Sequence, residues 1–378
     1  MALINVVAPT LSEQDLVEFK NYKYKSGALT PLDIFLAPKF NWLVEFLPIW
    51  LAPNLVTHLG IAPFWLFTIL IMILYPTYDL QVPGWVLSCS GIAIAFYVVM
   101  DALDGKQARR TGSSSPLGQL VDHGLDCGTV LPYTVICTAI LLVTETSLTR
   151  TIAWSIQLLN HGGLFLAQWQ EHHTGEMPTA IGAIGVTEIG FGFSGLAFFT
   201  GFIDPLSLRA FFRTQLLGIE LEIFAGILWL GVGSYLFGSS IIITIVSTYR
   251  SGHLRRALMD MIPILFLLIP SFFWSLECHA RVGTSLQVIV ASLSLLYTLP
   301  MIISSMARRD YPILQPTLPA YFALMWSSRV LHIEQVVVLV RIAACLSVAG
   351  LLGWSFVVAR QITHHLNISM FTIKPKPA

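Results

Sequence analysis

The chain has 378 residues, 55% of them hydrophobic and only 11% charged, and its 21 basic and 21 acidic side chains cancel. A soluble domain carries about 25% charged residues, so this much apolar surface excludes a water-surrounded fold and points to a bilayer as solvent. Zero net charge excludes a global field directed at nucleic acid.

From the N-terminus, residues 1–40 mix Lys20, Lys23, Lys25 and Lys39 with acids and lack an early apolar run, so no cleavable signal peptide is expected. Phe40, Trp42, Leu43, Phe46 and Leu47 recur at helical spacing and predict an amphipathic helix on the membrane surface. Ten apolar stretches then follow, at about 54–76, 84–104, 117–143, 151–170, 179–201, 219–246, 258–277, 284–306, 314–331 and 335–359. The fourth and ninth are the least apolar. The expected fold is all-α, a polytopic membrane helical bundle with about ten transmembrane helices.

Cys89, Cys127, Cys137, Cys278 and Cys345 are scattered, with no CxxC pair, and read as buried reduced thiols rather than a disulfide framework or zinc site. Asp260 and Arg341 fall within later spans and read as buried partners of neighbouring helices. His172 and His173, adjacent and so about 100° apart on a helix, read as loop or interface residues. Ten spans return the C-terminus to the side of the N-terminus. That side then holds 15 Lys and Arg against 5 on the other, which places both termini in the cytosol. Asn367-Ile368-Ser369 fits the N-glycosylation pattern, and this orientation predicts that it stays unmodified.

One stretch breaks the apolar pattern. Asp101, Asp104, Gly105, Ala108 and Arg109 are followed, eight residues on, by Gly118, Gln119, Asp122, His123 and Asp126. A charge at membrane depth costs at least ~2.5–3.5 kcal/mol, and four acids repel one another unless cations lie between them. At about 100° per residue, with Asp101 at 0°, Ala108 falls near −20°, Gly105 near 40°, Asp104 near −60° and Arg109 near 80°. The same step of about 100° per residue places the polar residues of the second helix relative to Asp122: Gly118 falls at about −40°, Asp126 at about 40°, Gln119 at about 60° and His123 at about 100°. Leu120, Val121 and Leu125 point away. Each helix thus gathers its polar groups on one face.

Oxygen-only ligands suit a hard ion, Mg²⁺ or Mn²⁺, and two ions could clamp a diphosphate. Gly105, Ala108 and Gly118 lack bulk and let a nucleotide approach the backbone. Arg109 offers a fork for phosphate. His123 is the one group here whose ordinary pKa suits a general base near neutral pH.

The spacing D-x2-D-G-x2-A-R-x8-G-x3-D-x3-D resembles the signature of the CDP-alcohol phosphotransferase family, and every fixed position matches. Lys23-Tyr24, Trp50-Leu-Ala-Pro-Asn54, Lys106 to Thr111, Ser113 to Gly118 and Asp122-His123-Gly124 look like its eukaryotic choline/ethanolamine phosphotransferase branch. Trp169-Gln-Glu171-His-His-Thr174-Gly175 is a fainter echo. The resemblance implies CDP-ethanolamine or CDP-choline plus diacylglycerol giving phospholipid and CMP. It implies two Mg²⁺ or Mn²⁺ ions on Asp101, Asp104, Asp122 and Asp126, with His123 as base. Asn54, Gly105, Ala108, Arg109, Gly118 and Gln119 would line the donor.

It also divides the chain into an interfacial region 1–53, a catalytic core 54–246, and residues 247–378 with the last four spans and a short tail. A site facing the cytosol at the endoplasmic reticulum or Golgi follows, with membrane lipid as the acceptor's source; a homodimer is compatible. One departure stands out: many members of this branch carry Glu where this chain has Gln119, which bears on head-group preference. The alternatives are a CDP-diacylglycerol-dependent phosphatidyltransferase with an inositol or glycerophosphate acceptor, and, from another class, a membrane cation transporter.

Overall fold

The computed structural model describes residues 11–22, 27, 29–76, 82–141, 146–178, 180–181, 184–277 and 280–373. Lys23-Tyr24, Lys25 and Cys278 of the sequence reading lie outside them. The chain is an integral membrane helical bundle. Two short helices, α1 (Glu13–Asn21) and α2 (Pro31–Leu43), precede it; each starts on a capping box, Ser12 with Asp15 and Thr30 with Asp33. A 3₁₀ turn, Val44–Phe46, ends this region. Large apolar side chains stay outside: Trp42 is 62% exposed and Phe46 68%.

The bundle consists of α3 (Pro53–Leu74), α4 (Gly84–Arg110), α5 (Pro116–Gly128), α6 (Val130–Leu141) and α7 (Ser147–Thr174). After it come α8 (Val186–Thr200), the short α9 (Pro205–Phe212), α10 (Leu221–Ser251), α11 (Leu254–Asp260) and α12 (Ile262–Glu277). The last are α13 (Ala280–Met306), α14 (Thr317–Val330) and α15 (Ile333–His365). Two two-stranded hairpins, Ala180–Ile181 with Ile184–Gly185 and Gln215–Leu216 with Ile219–Glu220, close turns between helices.

Among the described residues seven helices are long and apolar enough to cross a membrane. They correspond to the first, second, third, sixth, seventh, eighth and tenth predicted stretches. The other three are helices too. α8 has 15 residues and α14 has 14, only about 21–23 Å at 1.5 Å per residue. α7 has 28 residues but buries Gln157, His161, Gln168, Gln170 and Glu171.

Contacts at the helix ends fix the path. On one face, Tyr22 meets Glu171 of α7, Asp33 meets Thr187 of α8, and Arg309 meets Asp15. On the opposite face, Thr284 meets Pro76, Ser88 meets Phe198, and Glu277 meets Arg329. Leu141, Ile152 and Gly226 surround one small cavity there, gathering the end of α6 and the starts of α7 and α10. Among the described residues the helices thus alternate in direction between these two faces. The two ends of the chain meet: Leu11 N–H donates to Gln361 Oε1 at 3.2 Å, and Leu51 pairs with Thr372 in a β-bridge.

Close helix approach uses small residues, as expected where lipid supplies no hydrophobic drive. At Gly91 an added Cβ would sit 2.6 Å from Ser194 O of α8, and Ser194 Oγ donates to Gly91 O at 2.8 Å. Two late-chain expectations meet different outcomes. Asp260 is fully buried and paired with Arg256 at 3.0 Å and His173 at 3.2 Å. Arg341 is instead exposed on α15. The face of α15 that packs inward carries Val336, Val337, Val340 and Ala344, and a long cation can reach outward from its neighbour position. Of the thiols, Cys127 is buried and Cys345 is exposed, so burial does not hold for every cysteine.

Candidate active site

The turn between α4 and α5 sets the register of the two acidic helices. α4 ends in a Schellman motif: Ser113 N–H bonds Ala108 O at 2.9 Å and Gly112 N–H bonds Arg109 O at 3.2 Å. Gly112 takes φ +63°, a left-handed value that suits a residue without Cβ. Two residues later Ser115 N-caps α5, accepting from Gly118 N–H at 3.1 Å, with Pro116 at the first helical position. α5 breaks at Thr129, because Pro132 has no N–H to offer Gly128 O.

This geometry brings Asp101, Asp122 and Asp126 together, with carboxylate oxygens all within 4.8 Å of one another. Asp104 lies outside that closest trio and accepts from Thr57 Oγ1 of α3 at 2.5 Å. Asp126 accepts from Tyr97 O–H at 2.5 Å. Asp101 Oδ1 is buried with no hydrogen-bond partner among the described residues. A buried carboxylate oxygen left so is costly, and several anions this close repel. The donor set is all oxygen. Such a group fits divalent hard cations well and fits an empty apolar interior badly.

Above the trio opens a polar cavity of about 570 Å³. Asn54, Gly105, Ala108, Arg109, Gly118 and Gln119 all line it, and so do Asp104, Asp122 and His123. Asp101 and Asp126 lie deeper. A Cβ on Gly105 or Gly118 would meet nothing closer than 3.5 Å, so these glycines bare backbone to the cavity rather than permit tight packing. Leu120, Val121 and Leu125 of α5 face instead an apolar groove of about 760 Å³, walled also by Trp65 and Met72 of α3 and Trp354 of α15. His123, 8% exposed, and Gly124 follow each other on α5, one beside the cavity and one beside the groove.

Several participants carried no flag in the sequence. Thr57 is one turn beyond Asn54, and Tyr97 is four residues before Asp101 on the same face; helical spacing could have found both. The C-terminal tail could not be found that way. Ile368, Ser369, Met370, Thr372 and Ile373 line the cavity, Met370 lines the groove as well, and Met370 O accepts from Asn54 Nδ2 at 3.0 Å. Gln119 does not project alone into the cavity: its amide donates to Tyr22 Oη at 3.0 Å, and Tyr22 donates to Glu171 Oε1 at 2.9 Å. Lys106 and Arg110 stand outside the site. Lys106 Nζ reaches Asn41 Oδ1 at 2.7 Å. Arg110 holds Leu47 O at 2.7 Å, Val44 O at 3.1 Å and Glu45 at 3.2 Å.

His172, His173 and Asp260 form a second group with ligand atoms within 4.8 Å. The two rings lie 4.8 Å apart, closer than divergence around a helix suggests, because side-chain rotation offsets the backbone angle.

Residues 50–203 match the family model described as CDP-alcohol phosphatidyltransferase. The chain is 35% identical over 229 residues to a chicken (Gallus gallus) protein named Cholinephosphotransferase 1, covering 60% of this chain and 65% of that one. It is 28% identical over 388 residues to the zebrafish (Danio rerio) protein of the same name, covering 97% and 96%. A Dictyostelium discoideum protein, named an uncharacterized CDP-alcohol phosphatidyltransferase class-I family protein, is 36% identical over 177 residues, 46% of this chain and 42% of its own. The matched segment thus spans less than two thirds of the chicken relative.

Proposed function

From this chain's membership of the CDP-alcohol phosphatidyltransferase family, we propose that it transfers phosphoethanolamine or phosphocholine from a CDP-alcohol to the hydroxyl of diacylglycerol. One observation carries the reading. A polar, nucleotide-sized cavity and an apolar, lipid-sized groove meet across a single helix, α5, at His123 and Gly124.

The donor's diphosphate lies over the aspartates, and Arg109 reaches it from the cavity wall. The bare backbone at Gly105 and Gly118 lets the nucleotide approach. Asp101, Asp104, Asp122 and Asp126 are the residues that would hold two Mg²⁺ or Mn²⁺ ions, whose chemistry is to neutralise charge on the diphosphate and its leaving group. The acceptor enters along the groove from the bilayer; Ile73 and Leu352, at 70% and 64% exposure, stand at its lipid-facing edge. His123 takes the proton of the lipid hydroxyl as its oxygen bonds to the phosphorus bearing the alcohol. The bond from that phosphorus to the bridging oxygen breaks, and CMP leaves with that oxygen. Gathering both substrates at one helix supplies proximity, a large part of such catalysis.

The exposed Trp42 and Phe46 suit an N-terminal region resting in the membrane interface. The charge bias favours a cytosolic site, on an internal membrane such as the endoplasmic reticulum or Golgi.

The test is CMP release by the purified protein with CDP-ethanolamine or CDP-choline plus diacylglycerol, against CDP-diacylglycerol plus labelled inositol or glycerophosphate. CMP from the first pair supports the reading. Release only with the second assigns the alternative donor. Cation flux into liposomes without any CMP overturns both.

A further inference from the structure

The cavity described above has a second end, and its charge comes from outside its own wall. One turn before His123 on α5, Gln119 lines the cavity and donates to Tyr22 Oη, and the Tyr22 hydroxyl donates in turn to Glu171 at the end of α7. The hydroxyl's lone pair and proton are thus both committed, and the three side chains form one fixed chain. Glu171 is 5% exposed, and its second oxygen, Oε2, is buried with no hydrogen-bond partner among the described residues. Of the cations that share a polar cavity with Glu171, Arg256 pairs with Asp260 and Arg309 with Asp15. A carboxylate buried in this way is costly as an anion, and a cation that comes to rest beside it removes that cost.

The donor supplies such a cation. The alcohol hangs from the phosphorus next to His123. Gln119 lies about 40° around α5 and about 6 Å further along it, on the same side of the cavity. An ammonium group carried by the alcohol therefore ends beside Gln119 and Tyr22, with an aromatic ring and its hydroxyl as first contacts. We propose that Glu171, acting through Tyr22 and Gln119, is the specificity-determining counter-charge for an ammonium-bearing donor alcohol. This rests on the donor reading of the preceding section. It also accounts for a neutral Gln119 in the wall: the carboxylate stands behind it, beyond Tyr22.

The experiment compares donors that differ only in charge. CDP-choline is set against the CDP ester of 3,3-dimethylbutanol, in which carbon replaces the quaternary nitrogen. Wild type is expected to prefer the charged donor in kcat/KM. Glu171→Gln is expected to lower that preference about tenfold, the size of one lost charge-assisted contact, mainly through KM. The double variant Gln119→Glu with Glu171→Gln, which moves the carboxylate into the wall, is expected to restore it. A Glu171→Gln enzyme that loses turnover equally with both donors overturns the inference, since a merely structural role moves both alike. Should that variant fail to fold, wild type decides by itself: turnover of both donors with no preference between them overturns the inference and leaves the donor reading intact. CMP from neither donor, with CMP from CDP-diacylglycerol and inositol, overturns the donor reading and this inference with it.

Discussion

Asp122 is the residue that links the two halves of the site, belonging to the acidic trio and also lining the cavity. Asp122→Asn removes a ligand and its charge while preserving shape. It is expected to abolish turnover at saturating Mg²⁺ and to remove the thermal stabilisation that Mn²⁺ or Mg²⁺ gives the purified protein. Near-normal activity, or an unchanged metal-dependent melting shift, would rule out the metal-ligand role. His123→Ala is expected to cost 10²–10⁴-fold in kcat, the usual contribution of a general base, with little change in the dissociation constant of the CDP-alcohol. An equal loss in donor binding would make His123 a positioning group instead. Asp104 differs from its neighbours in leaning on Thr57, a contact that sequence spacing from Asn54 could have suggested but that only folding of α3 against α4 creates.

At the scale of elements, the α4–α5 connection and the 3₁₀ turn at Val44–Phe46 do different work. The Schellman turn and the Ser115 cap are written locally, in Thr111-Gly112-Ser113 and Ser115-Pro116, and they set how the two acidic helices face each other. The 3₁₀ turn is held by Arg110, which donates to the backbone carbonyls of Val44, Glu45 and Leu47 and pairs with the Glu45 carboxylate. Arg110→Ala leaves those carbonyls poorly satisfied, at about 1–3 kcal/mol. The expected result is a lower melting temperature in detergent with donor affinity nearly unchanged. A variant that melts like wild type but binds CDP-alcohol tenfold more weakly would show that Arg110 touches the donor. The motif stretch Lys106 to Thr111 therefore holds three jobs on one helix: Arg109 in the cavity, Arg110 on the 3₁₀ turn, and Lys106 on Asn41.

Across the bundle, the tail returns to the head, where Leu51 pairs with Thr372 and Asn54 with Met370. Asn367 lies on that same end of the bundle, beside the cavity wall. Together with the 15-to-5 excess of Lys and Arg, this predicts that Asn367 carries no glycan when the protein is made in a eukaryotic cell. A C-terminal tag is expected to be cut by protease added outside sealed microsomes. A glycosidase-sensitive mass at Asn367 would mean an inverted chain, with the cavity turned away from soluble cytosolic nucleotide. The short α8 fits such a bundle because it packs inward through Gly190, Phe193, Ser194 and Ala197, whereas α14 buries Tyr321.

Composition and spacing are enough to specify the all-helical membrane class, the acidic pair of helices and the polar and apolar faces of α5. All three depend on composition and on periodicity within one helix, which local residues fix. The sequence also marked α7, α8 and α14 as helical stretches, although their polarity or shortness weakens them as isolated spans. Tertiary structure decided the rest. Glu171 and Tyr22 are 149 residues apart, and Met370 is 316 residues from Asn54, so no periodicity or spacing connects them. Arg341 faces outward rather than into a buried pair because packing against α13 is taken by Val337, Val340 and Ala344. A pattern along the chain specifies which face of a helix is polar; which helix meets that face, and which distant side chain completes its charge, is set only when the bundle closes.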